Sequence, residues 1–363
     1  MSTSRKPGFL YTGEKISVVN NAPTMTYFVR GDPAKPMIVV IPGAAHPARI
    51  FYGGHENSDP VDFIGHWFTR FGYSFLAISY PFESEPALLP ADRPDFTVQE
   101  WGNQAAEVTM QIIKQENLPR RAILLMWSMA GKILQPYFQA AHNYAFDVDF
   151  AVSLVATPAI RGLRERPPGT TSSKTGYCIA SPQIKQSFLL HLQEQSAING
   201  GKCIIPDDTY VREYVANLPV GLTGWGYRWS EQDRQLIDDK NVAFEVADQT
   251  SMGDLPYLCS IYGDSPADLR HSIADKYTWG FMMMYQLMGT LTPAEKMFLI
   301  ENPEKGKRVT RIIQGAPDRL SALVQGGHHF FIGEKGAKRT AELVVRFEKD
   351  LAHLKSELRA VFQ

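Results

Sequence analysis

Cysteine is scarce in this 363-residue chain: Cys178, Cys203 and Cys259 are its three, far apart and without a C-x-x-C pair. A disulfide framework is therefore not expected, and the usage suits a reducing compartment such as the cytoplasm. A surplus of one charge is lacking too. The 37 Lys and Arg face 38 Asp and Glu, a formal net charge of -1, which argues against recruitment to nucleic acid or an anionic membrane by bulk charge. No apolar run reaches the length of a bilayer span, and Met1 to Gly8 is polar, so neither a membrane span nor a Sec signal is expected. G-x-x-x-x-G-K-[ST], G-x-G-x-x-G and H-E-x-x-H are all absent, which leaves a nucleotide cofactor and a metal site without support. Internal repeats and low-complexity segments are missing as well.

What is present is a 44% hydrophobic chain, ample for a large core, in which short apolar runs alternate with longer amphipathic ones. That alternation reads as α/β with a mostly parallel sheet flanked by helices. Lys15–Val19 and Thr24–Val29 read as two early strands, and Met37–Ile41 as a strand buried on both faces. A helix is expected at Val61–Phe71 and a strand at Ser74–Tyr80. Thr97–Glu116 reads as helix and Ala122–Leu125 as strand, followed by helix at Lys132–Ala141. Strands follow at Asp149–Ala156, Pro256–Tyr262 and Ser321–Gln325, before an amphipathic terminal helix at Lys335–Phe362. About a hundred residues between the strands at Ala156 and Pro256 break the alternation. They open with the loop-like stretch Arg166–Ser173, continue with helical patterns at Pro182–Gln195 and Asp207–Ala216, and carry the aromatics Trp225, Tyr227 and Trp229. Residues 161–253 are expected to form a helical cap inserted into a core made of 1–160 and 254–363, because strand-like sequence resumes after them.

Met126-Trp127-Ser128-Met129-Ala130-Gly131 sits between an apolar strand and a helix, with the serine at the apex of the turn. Such a turn lifts the serine hydroxyl off the sheet and points the following amide at the same spot. The stretch resembles the nucleophile elbow of the α/β-hydrolase superfamily, with Met126 and Ala130 in the places of two glycines. Pro42-Gly43-Ala44-Ala45-His46 follows a strand directly, as the oxyanion loop of that superfamily does, and Gln325-Gly-Gly-His328-His329-Phe precedes the last helix, where the superfamily keeps its base.

The resemblance implies a cofactor-free serine esterase or thioesterase with Ser128 as nucleophile and the amides of Ala44 and Met129 as oxyanion donors. Aligning His-Phe and the glutamate five residues on selects His329 as base; aligning Gly-His selects His328, and His329 is preferred. The acid is expected beyond the strand before the histidine strand, at Asp264, with Asp268 and Asp318 as alternatives. A histidine pair can also bind metal, but no third ligand has helpful spacing. His46 and His55 read as exposed loop residues, and the Trp279–Tyr285 run as core rather than a pocket wall.

The expected substrate is a small-to-medium hydrophobic ester or thioester, with no nucleic-acid partner. Acyl transfer, carbon–carbon bond hydrolysis, and ligand binding without efficient turnover remain open on the same residues, since fold does not fix reaction. A homo-oligomer is left open, since the sequence does not reveal the oligomeric state.

Overall fold

The computed structural model describes residues 9–163, 169–247 and 252–363. Met1 to Gly8 and the 166–168 part of the loop-like stretch lie outside the described residues. The strands are β1 (Glu14–Val19), β2 (Ala22–Val29), β3 (Met37–Ile41), β4 (Phe75–Ile78), β5 (Arg121–Trp127), β6 (Asp147–Leu154), β7 (Tyr227–Ser230), β8 (Gln235–Asp238), β9 (Leu258–Gly263) and β10 (Ser321–Val324). The helices are α1 (Ile64–Arg70), α2 (Val98–Gln115), α3 (Leu134–Asn143), α4 (Pro182–Ile198), α5 (Asp207–Thr209), α6 (Lys240–Ala247), α7 (Leu269–Gly289), α8 (Pro293–Glu301), α9 (Pro303–Gln314), α10 (Ala316–Leu320) and α11 (Glu334–Phe362).

Eight strands form one sheet in the order β1-β2-β4-β3-β5-β6-β9-β10. β2 pairs antiparallel with β1 and with β4, and every pairing from β4 to β10 is parallel. The centre is the part the sequence marks most clearly. All five residues of β3 are buried, as are six of the seven of β5, which is what a strand covered on both faces requires. β3 runs through α1 to β4 on one side, whereas β4 returns through α2 to β5 on the other side of β3. Right-handed crossovers in opposite directions place α1 and α2 on opposite faces. In keeping with this, α1 packs on α11, and α2 packs on α3. α2 starts where the sequence says it should: the Thr97 hydroxyl accepts from the Glu100 amide and the Glu100 carboxylate accepts from the Thr97 amide.

The direction of winding changes between β3 and β5. An open α/β sheet has its crevice beyond the C-terminal ends of the strands at such a point. The loop after Ile41 and the turn after Trp127 both emerge there, since Ile41 pairs with Met126.

The described residues between β6 and β9 lie outside the eight-stranded sheet, and their internal structure differs from the sequence pattern. The long helix at Pro182 is present and ends at Ile198. The pattern at Asp207–Ala216 yields one short helix, α5, and a π-helical turn at Tyr210–Tyr214. The aromatic stretch is not helical: β7 and β8 form a two-stranded antiparallel hairpin. This segment is joined to the core by backbone hydrogen bonds from the Ala216 amide to the Ala45 carbonyl and between Asn217 and Glu83. Among the described residues no helix is long and apolar enough to cross a membrane. Cys178 and Cys259 are buried, Cys203 is exposed, and all three are free thiols.

Candidate active site

The turn after β5 holds Ser128 at φ 54°, a left-handed conformation that a serine adopts only where the surroundings impose it. The surroundings do so by crowding. A Cβ on Gly131 would lie 2.5 Å from the Thr157 carbonyl oxygen, so the chain after the serine can only pass β6 without a side chain there. The Thr157 amide in turn donates to the Ser128 carbonyl at 2.8 Å. Met126, the departure from the elbow pattern, is wholly buried in β5 opposite Ile41 and Ser153 and does not obstruct the turn. A strand, a strained serine turn and a helix stand at the switch point of this strand order. The fold is that of the α/β-hydrolases.

Ser128 Oγ lies 2.8 Å from Nε2 of His328, and Nδ1 of His328 lies 2.8 Å from Oδ2 of Asp268. The three therefore form one continuous hydrogen-bonded line. Burial alone would raise the Asp268 pKa. The neighbouring His328, then His271 and His191, more than reverse that effect and hold the carboxyl below its usual range. Asp268 is thus an anion aimed at the outer nitrogen of the imidazole that touches the serine.

Two expected members fall elsewhere. His329 is fully buried behind the loop, its Nε2 3.2 Å from the Tyr210 hydroxyl, so it does not reach Ser128. Burial pushes its pKa well below the ordinary histidine value, with His46 adding to the effect. Asp264 is exposed, and its Oδ1 accepts from the Gly326 amide at 2.8 Å while its own amide donates to the Gly326 carbonyl. It clamps the end of β9 to the histidine loop instead of orienting a histidine. Asp318 is further out, paired with Lys276 at the surface. The Gly-His alignment, and the second acid beyond the β9 strand, are the sequence features that point to His328 and Asp268.

Ala44 stands with Ser128 on the wall of one cavity, and Gly43 passes so close that a Cβ on it would lie 2.7 Å from the Ser128 Cβ. Glycine is therefore required at this step of the loop. His46 is buried, not exposed. Its Nδ1 bonds the Ala44 carbonyl at 2.8 Å and its Nε2 the Tyr210 hydroxyl at 2.6 Å. His55 is buried too, bonded to the Tyr214 hydroxyl at 2.6 Å. Neither was identifiable from sequence, because both partners come from the segment between β6 and β9. Trp127 donates from Nε1 to the His328 carbonyl at 2.9 Å and packs against both late imidazoles, a structural role that keeps it out of the cavity wall.

Ser128 is only 3% exposed, and it stands on the wall of a cavity of about 300 Å³. Much of the wall is supplied by the segment between β6 and β9, including Ile179, Ile184, Phe188, Leu218 and Trp225. Of the other aromatics, Trp229 is buried, and Trp279 is core, donating to the Ala156 carbonyl at 3.0 Å. Asp268, His271 and His328 place donor atoms within 4.8 Å of one another, a spacing that would suit a metal. Hydrogen bonds already account for them: both nitrogens of His328 are engaged, and His271 Nδ1 meets the Asp275 carboxylate at 2.9 Å.

No family model matches the chain, and no curated protein matches its sequence. Solved structures with a similar chain path include a bacterial membrane phospholipase A, 11% identical over 94% of this chain and 86% of that one, with a TM-score of 0.45. A soluble variant of the monoglyceride lipase of Saccharomyces cerevisiae is 8% identical over 98% of this chain and 99% of that one, with a TM-score of 0.44. An esterase of Pyrobaculum calidifontis is 12% identical over 93% and 84%, also at 0.44. These are likenesses of the overall path, so the chemistry of this site has to be read from its own atoms.

Proposed function

We propose that the chain is a serine hydrolase that cleaves a small or medium ester or thioester through an acyl-serine intermediate, without a cofactor. The observation that carries this reading is the unbroken line Ser128 Oγ–His328 Nε2, His328 Nδ1–Asp268, at 2.8 Å per step. A serine hydroxyl attacks a carbonyl only if a base removes its proton, and a neutral imidazole at hydrogen-bond distance is suited to that task. Ser128 Oγ bonds to the carbonyl carbon as its proton passes to His328 Nε2. Asp268 holds the Nδ1 proton in place and stabilises the imidazolium that results. The amides of Ala44 and Met129 receive the negative charge that develops on the carbonyl oxygen. The proton then leaves with the alcohol or thiol, and water, activated by the same imidazole, releases the acid and restores the serine.

In this reading residues 161–253 act as a cap. Its described residues cover the nucleophile and, with Ile184, Phe188 and Leu218, give the cavity an apolar side suited to the hydrocarbon part of the substrate. Labelling by a fluorophosphonate probe, read as intact mass, tests the proposal. One adduct on the wild type and none on Ser128→Ala is the expected outcome. A wild type that stays unlabelled under conditions where it is folded sets the hydrolase reading aside.

A further inference from the structure

Arg270 is the sole Lys or Arg among the described residues lining the cavity. It lies in the first turn of α7, two residues after Asp268, and is half-buried. Its guanidinium donates to the Thr157 hydroxyl at 2.8 Å and touches Nε2 of His271. Thr157 is the residue whose amide holds the Ser128 carbonyl, so the charge sits one residue away from the nucleophile turn. The two nearest carboxylates have other engagements: Asp268 is directed at His328, and Asp275 at His271. No carboxylate of the described residues forms an ion pair with Arg270.

A guanidinium partly withdrawn from water, with no direct ion pair among the described residues, pays a desolvation cost that attraction to the Asp275 and Asp268 carboxylates only partly returns. Position adds to the effect. α7 begins at this wall with Asp268 and Arg270, and α4 begins there with Ser181, so both helices turn their positive N-terminal ends toward the cavity. Ser187 lines the same cavity, whereas Phe188, Leu218 and Ile184 make its apolar part. The cavity wall therefore carries, near the nucleophile, the Arg270 cation and an Asp268 anion already committed to His328, together with an apolar part made by Ile184, Phe188 and Leu218.

We propose that Arg270 is a specificity residue that binds a carboxylate of the substrate, so that the preferred esters are monoanions carrying a carboxylate near the scissile carbonyl. The inference rests on the hydrolase reading and narrows it to acidic esters. The planar guanidinium presents a fork of N–H donors matched to a carboxylate, and the resulting bonds are charge-assisted.

Two matched ester pairs test it. In one the carboxylate is on the acyl part, 4-nitrophenyl hemisuccinate against 4-nitrophenyl butyrate. In the other it is on the alcohol part, 4-acetoxybenzoate against 4-methylphenyl acetate. The readout is the ratio of kcat/KM within a pair, measured on the same enzyme preparation, so that a partly folded variant cannot imitate a change in preference. Wild type is expected to favour the acid by about tenfold or more in at least one pair, the size of one charge-assisted hydrogen bond. Arg270→Met should bring that ratio to about one or below, and Arg270→Lys should keep part of it. Should Arg270→Met not fold, protection of wild-type Ser128 from the fluorophosphonate by succinate or benzoate, weakened by added salt, gives the same information. A wild type with no preference in either pair overturns the inference, as does an Arg270→Met enzyme that keeps it. If the wild type labels with fluorophosphonate yet shows no preference, only this inference falls. If it neither labels nor cleaves any ester, the hydrolase reading falls and takes the inference with it.

Discussion

The imidazoles of His328 and His329 stand 6.1 Å apart and nearly perpendicular, and the two adjacent residues meet different chemistry. Nε2 of His328 is 2.8 Å from Ser128 Oγ, whereas His329 turns inward to Tyr210 with its Nδ1 buried and unpartnered. Trp127 packs against both, its ring centroid 5.4 Å from each. Replacing His328 by alanine should lower kcat/KM on 4-nitrophenyl butyrate by about 10³-fold or more, the scale of a lost triad member. His329→Ala should instead cost on the order of 1–3 kcal/mol of stability with a much smaller loss of turnover. Paired kinetics and thermal melts decide it, and the reverse pattern would move the base one residue along.

Asp268 and Asp264 are separated in the same way, one on an imidazole and the other on a backbone amide. Asp268→Asn removes the anion that fixes the Nδ1 proton and should reduce kcat by about 10³- to 10⁴-fold with the fold intact. Asp264→Asn keeps an acceptor for the Gly326 amide and should change kcat by less than tenfold. Circular dichroism on both variants guards against unfolding, and an Asp268→Asn enzyme at wild-type rate would remove that residue from the mechanism.

Sequence disclosed the parts of this molecule that follow from local pattern. β3 and β5 are continuous apolar runs, and α2 carries its capping box in Thr97 and Glu100. The serine turn and the Pro-Gly loop follow strands directly. What stayed hidden depends on loops folding against distant residues. Whether His328 or His329 faces the serine is set by the turn at Gly326, which Asp264 holds from just beyond the end of β9, and by Trp127 bonding the His328 carbonyl. The acid was misplaced because β9 ends at Gly263, and the chain runs on to the head of α7 before Asp268 comes into line with His328. The burial of His46 and His55 was illegible for a similar reason, since Tyr210 and Tyr214 reach them from more than 150 residues away.

Acid should destabilise the protein in a window set by its buried imidazoles. Burial drives the His46 pKa down to about 3, and burial is also the main cause that lowers His329 and His191. In the unfolded chain these groups titrate near 6.5. As pH falls from about 6.5 toward about 3, the unfolded state takes up protons that the folded state refuses, so the stability present above 6.5 is progressively lost. Tm measured at half-unit steps from pH 8 to 5 should fall once pH drops below about 6.5, where the three imidazoles outweigh the opposite effect of buried Asp275, whose pKa is raised to about 8. His46→Gln should fall less steeply, whatever its Tm at pH 8. An unchanged slope would mean that His46 is not held neutral.

Tyr210 braces the Pro42–His46 loop, the proposed oxyanion loop, through His46. A carbonyl only accepts, so His46 Nδ1–H must donate to the Ala44 oxygen, and a neutral imidazole then offers Nε2 as acceptor to the Tyr210 hydroxyl. The Tyr210 oxygen in turn accepts from His329 Nε2–H, which leaves His329 Nδ1 a bare acceptor, in agreement with its lack of any partner. One directed chain thus runs from a late imidazole, through a tyrosine outside the sheet, to the peptide that precedes Ala45. Tyr210→Phe removes the one hydroxyl in this chain and leaves His46 Nε2 unpaired in the core, a loss of about 1–3 kcal/mol of stability. Loosening of the loop should appear as a fall in kcat of about tenfold with KM little changed, because an oxyanion donor acts on the transition state and not on the bound ester. The rate of fluorophosphonate labelling should fall in parallel, since that reaction uses the same donors. If kcat and labelling rate both stay at wild-type values while Tm drops, the tyrosine is a packing residue and the loop keeps its shape without it.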